Sequence, residues 1–118
     1  MAVEFLKSVT RENLMRAFAG ESQARNRYTF AAQQANKQQL FVIEKLFEFV
    51  ANQEKEHAER FFKFLEGGCL EITAAFPAGT IRSTDKNLAL AVDGEYEEWH
   101  DLYPEFAEIA REEGFTNL

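Results

Sequence analysis

Apolar residues recur at helical spacing along three stretches of this chain, which predicts an all-α fold of amphipathic helices. In the second stretch, apolar side chains recur from Phe47 to Leu65, and Glu54 and His57 fall on the same stripe. Residues on such a stripe face the interior when the helix packs. The pattern therefore predicts a buried Glu-x-x-His pair.

The other two stretches also place carboxylates among apolar residues. The first sets Glu21 in an apolar stripe, and the third does the same with Glu95 and Glu98. The apolar members of the first stripe are Leu14, Ala17, Phe18, Ala24, Tyr28, Ala31, Ala32 and Ala35. Those of the third stripe are Leu88, Ala91, Val92, Trp99, Leu102 and Phe106. Three helices are thus predicted to direct acidic side chains toward one core.

Buried carboxylates of this kind predict a metal site. Removing an isolated carboxylate from water costs several kcal/mol even after relaxation, so converging carboxylates need cations or bound protons. Single glutamates from two helices, with Glu-x-x-His from each of two others, are the ligand pattern of di-iron and di-manganese bundles. One core-facing Glu-x-x-His is visible here, formed by Glu54 and His57. Such ligands suit iron or manganese, with zinc as a possible substitute.

Cap and turn residues set the expected bounds of the helices. Thr10 is predicted to cap a first helix that ends near Lys37. After a turn at residues 36–39, a second helix is predicted from about Leu40 to Glu66, where two glycines end it. The connection from Cys69 to Ser83 is too long for a tight turn. A long crossover at this point is the ferritin-like variant of a four-helix bundle.

The third helix is predicted to begin at a Thr84 cap and to run to about Glu113, with interruptions at Gly94 and Pro104. This chain would then supply three helices of the bundle and leave an apolar groove. If the second half repeats the spacing of the first, a second Glu-x-x-His is expected beyond Leu118.

Composition limits the class of protein. The 118 residues suit one domain, spanning 1–118, that is incomplete without a fourth helix. A net charge of −7 argues against nucleic acid and anionic membrane surfaces as partners. No apolar run approaches a membrane span, and the first residues lack the basic start of a signal peptide. The single cysteine, Cys69, fits a reducing compartment, and the cytoplasm is expected; we assign it no function.

Several of these residues have an alternative structural explanation. Glu54 and His57 could form a buried ion pair, or His57 could be a core histidine with satisfied hydrogen bonds. Arg25, four residues after Glu21, could pair with the Glu21 carboxylate along the helix. Tyr28 could be either a ligand partner or a core aromatic whose hydroxyl is satisfied. Three further titratable residues are predicted on solvated faces: Glu56, Glu97 and His100.

The sequence resembles the rubrerythrins, which are ferritin-like di-iron peroxidases, over nearly its whole length. The matching segments are Ala17 to Tyr28, Glu54 to Ala58, Phe61 to Gly67, Gly94 to Trp99 and Leu102 to Pro104. The resemblance implies that two iron ions are held by Glu21, Glu54, His57, Glu95 and Glu98. It also implies that Tyr28 and Tyr103 lie just outside these ligands, and that iron moves between His57 and the Glu98 carboxylate with oxidation state.

Two parts of the family pattern are not found in these residues. The last bundle helix, with its second Glu-x-x-His, is one, and the rubredoxin-like domain with its four cysteines is the other. We therefore expect electrons from an external rubredoxin-type donor. The missing helix is expected from a homodimer partner, a helix-swapped oligomer or a retained C-terminal fragment.

The resemblance implies reduction of hydrogen peroxide to water in oxidative-stress defence. The alternative is a non-catalytic iron-binding or helical assembly module. These two functions differ in whether the protein consumes peroxide when a reduced rubredoxin is supplied.

Overall fold

The computed structural model describes residues 4–116, which form an all-helical chain. A short 3-10 turn, Phe5–Lys7, precedes α1, Val9–Lys37, and α2, Phe41–Phe64. The third helical stretch consists of α3, Thr84–Glu97, a π-helical turn, Glu98–Leu102, and α4, Tyr103–Glu112. Residues 1–3, Asn117, Leu118 and the position of the second motif expected after them lie outside the described residues.

The cap of α1 differs from the prediction. Ser8, not Thr10, is the N-cap residue: its backbone is extended, and its side chain accepts a hydrogen bond from the Arg11 backbone N–H. An N-cap residue needs this non-helical backbone, whereas Thr10 already lies inside the helix. Thr10 instead donates its hydroxyl and its backbone N–H to the Glu113 carboxylate. Helix α1 therefore begins one residue before the predicted cap.

Glu113 joins the two ends of the described chain. Its carboxylate also accepts the Val9 backbone N–H at 3.0 Å, so it binds two free donors in the first turn of α1. A carboxylate at this end also interacts favourably with the helix dipole. We expect Glu113→Ala to lower the free energy of unfolding by about 1–2 kcal/mol, as loss of a helix cap does. Urea denaturation would measure the change.

Glu112 provides the matched control for this substitution, because it is exposed and makes no hydrogen bond to the residues described. Glu112→Ala should leave stability within about 0.5 kcal/mol of the parent. Equal losses in the two variants would contradict the capping role of Glu113.

Helices α1 and α2 form the core of the fold. The turn between them places Gln39 at a φ of 61°, and the Leu40 N–H donates to the Ala35 carbonyl at 2.9 Å. The core cluster combines alanines with two aromatic rings. Its buried members are Ala24, Tyr28, Ala31, Ala32, Phe47 and Ala51. Small side chains let the helix backbones approach, and the rings fill the remaining space.

The direction of the third helix follows from contacts at its two ends. The Thr84 hydroxyl and N–H both donate to the Gln38 side chain at the end of α1. Glu113 binds the start of α1, so α3 and α4 run antiparallel to α1 and parallel to α2. The connection after α2 must therefore return along the length of the bundle. This arrangement confirms the predicted long crossover and three helices of a ferritin-like bundle. Within residues 4–116, no helix combines the length and apolar character of a membrane span.

The third helix is interrupted near Pro104 but not at Gly94. Helix α3 continues through Gly94 to Glu97, so that part of the prediction was wrong: one glycine weakens a helix by only about 1 kcal/mol. Pro104 has no N–H, and its ring crowds the carbonyl of the preceding turn. Just before it, the Tyr103 N–H donates to the Glu98 carbonyl five residues earlier, which is the wide π-type bond. Ser83 rather than Thr84 occupies the N-cap position of α3.

Candidate metal centre

Three of the predicted ligands meet between α1 and α2. Glu21 is fully buried at 0% exposure, and Glu54 is 3% exposed. His57 Nδ1 lies 4.0 Å from Glu21 Oε2 and 3.8 Å from Glu54 Oε2. Each residue offers one ligand atom within 4.8 Å of the other two. Glu54 and His57 thus lie on one face of α2, as their spacing in the sequence predicts.

Four atoms of the predicted ligands are buried without a hydrogen-bond partner in the described part of the chain. They are Glu21 Oε2, Glu54 Oε2, His57 Nδ1 and Glu98 Oε2. A buried polar atom without a partner costs about 1–3 kcal/mol, and a charged one costs more. Divalent cations would satisfy all four atoms, and a carboxylate set with one imidazole suits iron or manganese. The residues present therefore fit the metal pair that the sequence predicts.

Glu95 and Glu98 lie beside this group rather than within its tightest cluster. Glu95 accepts a hydrogen bond from the Tyr28 hydroxyl at 2.9 Å and from Trp99 Nε1 at 3.2 Å. Glu98 begins the π-helical turn, and its Oε2 is one of the four atoms without a partner. The tightest cluster contains only Glu21, Glu54 and His57. The assignment of Glu95 and Glu98 as ligands stays a prediction.

Tyr28 and Tyr103 each donate a hydroxyl hydrogen bond to a predicted ligand. Tyr103 donates to Glu21 Oε1 at 2.7 Å, and Tyr28 donates to Glu95 Oε1 at 2.9 Å. Burial and the neighbouring carboxylates raise the pKa of both hydroxyls, so each stays protonated and remains a donor. Hydrogen bonds of this kind orient carboxylates that bind metals. Whether the tyrosines take part in chemistry stays a prediction.

The alternative explanation for Glu21 has no support from its neighbours in the described chain. Arg25 makes no ion pair with Glu21, and its Nη1 donates to Asn26 Oδ1 at 3.4 Å. Among the residues expected on solvated faces, His100 is exposed, stacks on Tyr96 and contacts Asp101. Glu56 and Glu97 are exposed as well.

Sequence reasoning missed two contributors to the site and misjudged the third stripe. Trp99 was assigned to the core, but it is 54% exposed and donates to Glu95, four residues before it. The spacing of four along a helix was the available signal. Arg27 was not singled out, yet its charge opposes the rise in the pKa of Glu98. Val92 and Leu102 are also exposed, because no described element packs over this face.

Burial changes the acidity of two of these carboxyls. Desolvation raises the pKa of Glu21 to about 7 from an ordinary 4.5, with a further rise from the Glu95 charge and an opposing effect of the Tyr103 hydrogen bond. Desolvation also raises the pKa of Glu98 to about 7, and the charges of Glu21 and Glu95 add to the rise. Without metal, the Glu21 and Glu98 carboxyls therefore bind protons more readily than ordinary glutamates do.

These shifts predict how the stability of the metal-free protein depends on pH. A carboxyl whose pKa is higher in the folded protein than in the unfolded chain contributes its full stabilisation at a pH below the unfolded pKa. This contribution is lost as the pH rises through the folded pKa. For Glu21 and Glu98 the window runs from 4.5 to about 7. Allowing for solvent screening, we expect the free energy of unfolding to fall by roughly 2–4 kcal/mol across it. Urea denaturation at a series of pH values would measure the loss.

Glu21→Gln provides the control for this pH dependence, because its neutral amide resembles the protonated carboxyl. It should reduce the loss, and divalent metal should restore stability to the parent protein by mass action. Stability that did not change across the window, with or without ferrous ion, would contradict the predicted cluster.

The fold and the site together define the class of this protein. It is a ferritin-like helical protein with carboxylates and an imidazole around one interior point. More particularly, the chain belongs to the rubrerythrin family, which its sequence matches over residues 12–118. That family consists of di-iron proteins of oxidative-stress defence.

Individual relatives show how far the similarity extends. The chain is 61% identical over 111 residues to rubrerythrin of Porphyromonas gingivalis, covering 94% of this chain and 56% of that protein. It is 54% identical over 111 residues to rubrerythrin of Nitratidesulfovibrio vulgaris, covering 94% and 58%. Nigerythrin of the same organism is 38% identical over 108 residues, covering 89% and 52%. The chain thus spans little more than half the length of these relatives.

Proposed function

We propose that this protein is a di-iron peroxidase that reduces hydrogen peroxide to water. The four partnerless buried atoms of Glu21, Glu54, His57 and Glu98 are the observation on which the proposal depends. A pair of ferrous ions would supply two electrons and Lewis-acid binding for cleavage of the oxygen–oxygen bond. The balanced reaction takes up two electrons and two protons for each peroxide.

The residues of the chain hold and orient the site in this proposal. The carboxylates would balance the charge of the metals, and His57 would contribute a nitrogen ligand. Tyr103 and Tyr28 fix the rotation of the Glu21 and Glu95 carboxylates through their hydroxyls, 2.7 and 2.9 Å away. Burial of Glu21 and Glu54 excludes bulk water from one side of the site.

The proposal includes a helix supplied from outside residues 4–116. An apolar cavity of about 320 Å³ lies between α2 and α3, where Leu46 and Val50 face Leu88 and Ala91. Glu95 is part of its lining, so a helix seated there would approach the metal centre. The occupant is a helix with the second Glu-x-x-His, from a homodimer partner, a swapped chain or a retained C-terminal fragment.

A rubredoxin-type protein is the proposed electron donor, and the cytoplasm, a reducing compartment, is the proposed location. The second candidate function is a non-catalytic iron-binding or assembly module, which the exposed apolar face favours. Val92 at 67% exposure and Trp99 at 54% are members of that face. Of these functions, only the peroxidase consumes peroxide.

Peroxide consumption tests the choice between these functions. Iron-loaded protein with reduced rubredoxin is expected to consume peroxide and oxidise the rubredoxin in the two-electron ratio. His57→Ala should lose this activity by at least about a hundredfold, because a direct ligand matters at least as much as its hydrogen-bonded neighbours. Stable iron binding without peroxide consumption would favour the non-catalytic iron-binding module.

A further inference from the structure

A small cavity beside the crossover borders the carboxylate cluster at Glu98, and it shares Tyr28 and Phe47 with the lining of the apolar groove. Its volume is about 120 Å³, and crossover residues Pro77, Gly79, Thr80 and Ile81 form part of its lining. A water molecule takes about 30 Å³ in the liquid, so the cavity has room for a few waters or one small molecule. Glu98 forms part of its wall, and Glu98 Oε2 is buried without a partner.

The lining of this cavity is more polar than that of the neighbouring cavities that border the site. Arg27, Asn87 and Thr80 contribute polar groups, whereas the groove between α2 and α3 is almost wholly apolar. Arg27 Nε donates to Gln23 Oε1 at 2.6 Å, which holds the guanidinium over the Tyr28 ring, 5.7 Å from its centroid. Within residues 4–116, its terminal amino groups make no hydrogen bond. They remain available as donors to a guest molecule.

Gly94 is an exposed residue that also lines this cavity. It lies in helix α3, where glycine is less favourable than alanine by about 1 kcal/mol. A Cβ built at this position would meet nothing within 4 Å, so packing does not require glycine. Its φ also lies outside the left-handed region, so backbone conformation does not require it either. Because Gly94 is exposed and also lines the cavity, a long side chain at residue 94 would cover part of its opening.

We propose that this cavity is the pocket through which a small polar oxidant of peroxide size reaches the metal centre. Arg27 donates hydrogen bonds to its oxygens, Glu98 lies at the inner wall, and Gly94 keeps the passage open. The pocket gives access to the peroxidase chemistry proposed above and therefore rests on that function. Arg27 is a cationic hydrogen-bond donor beside this small polar cavity. The same arrangement would bind small anions such as azide.

Variants that narrow the pocket test this proposal without touching a predicted ligand. In protein carrying its full complement of iron, Gly94→Leu should slow azide association, followed by absorbance, by about tenfold or more. Peroxide consumption should slow to a similar extent. Metal content and melting temperature should match or exceed those of the parent, since the added side chain enters open space and glycine leaves the helix. Ala89→Leu, an exposed change in the same helix, should alter neither rate.

Arg27→Met removes the donors while keeping much of the side-chain volume. It should weaken azide binding at equilibrium by about tenfold, because a charge-assisted hydrogen bond is lost. Arg60→Met is the matched control, since Arg60 is exposed and makes no contact with the cavity. This second variant keeps the proposal testable if Gly94→Leu folds poorly.

The results distinguish failure of the pocket proposal from failure of the proposed peroxidase function. If the parent protein consumes peroxide and both Gly94→Leu and Arg27→Met match it in peroxide and azide kinetics, the pocket proposal is overturned and the function stands. If the parent consumes no peroxide but azide association slows in Gly94→Leu, the pocket stands and the function fails. Slowing in Ala89→Leu as large as that in Gly94→Leu would also overturn the pocket.

Discussion

Glu54→Ala is expected to empty the metal centre, whereas Glu56→Ala is expected to leave it loaded. Glu54 is 3% exposed, lies 3.8 Å from His57 Nδ1 and has a buried oxygen without a partner. Glu56, two residues away, is exposed. Loss of a neighbour of a ligand costs about 10–100-fold in metal affinity, so loss of Glu54 itself should cost at least about a hundredfold. Iron content after dialysis, with chelator competition for affinity, would measure the difference.

This pair of variants separates a metal ligand from a general charge effect. Each variant removes one carboxylate from the same helix, so the change in net charge is identical. His57→Ala should resemble Glu54→Ala, because the two residues offer neighbouring ligand atoms. Equal metal loss in Glu54→Ala and Glu56→Ala would show that the assumed ligand set is wrong.

Features set by local periodicity could be predicted from the sequence. The stripe with Glu54 and His57 in α2, the position of Glu21 in α1 and the long crossover all follow from spacing within one element or between neighbours. The small errors at helix ends have local causes too. Thr10 and Ser8 are both good capping residues, and only the backbone geometry decides between them.

Contacts between distant residues could not be predicted in this way. Tyr103 and Glu21 are 82 positions apart, and Glu113 and Thr10 are 103 apart, so their bonds depend on how the third helix lies against α1. The exposure of Val92 and Trp99 has the same origin. Their spacing indicates an apolar face correctly, but a stripe does not say whether a partner covers it.

Two arrangements of chains would complete the metal centre. One arrangement uses Glu21 and the Glu54–His57 pair from two chains related by a twofold axis, which gives four glutamates and two histidines for one metal pair. The other keeps Glu95 and Glu98 of the same chain and takes a second Glu-x-x-His from a helix seated between α2 and α3. The first holds one metal pair for two chains, and the second holds one pair for each chain.

The contacts of the third helix favour the borrowed helix. Glu95 accepts hydrogen bonds from Tyr28 and Trp99, and Glu98 has a buried oxygen without a partner. A twofold site made from α1 and α2 gives these two carboxylates no purpose. The apolar cavity of about 320 Å³ beside Glu95 would also remain unfilled.

We therefore expect one metal pair per chain in an assembly larger than this chain alone, and loss of metal in Glu95→Ala and Glu98→Ala. Metal analysis combined with the mass of the assembly would measure the ratio. Glu97→Ala is the matched control, because Glu97 lies between the two positions, is exposed and should keep the metal. One metal pair for two chains that survives loss of Glu95 and Glu98 would favour the twofold site. A metal-loaded monomer with the mass of these 118 residues would contradict both arrangements, because its open groove would then bind nothing that completes the centre.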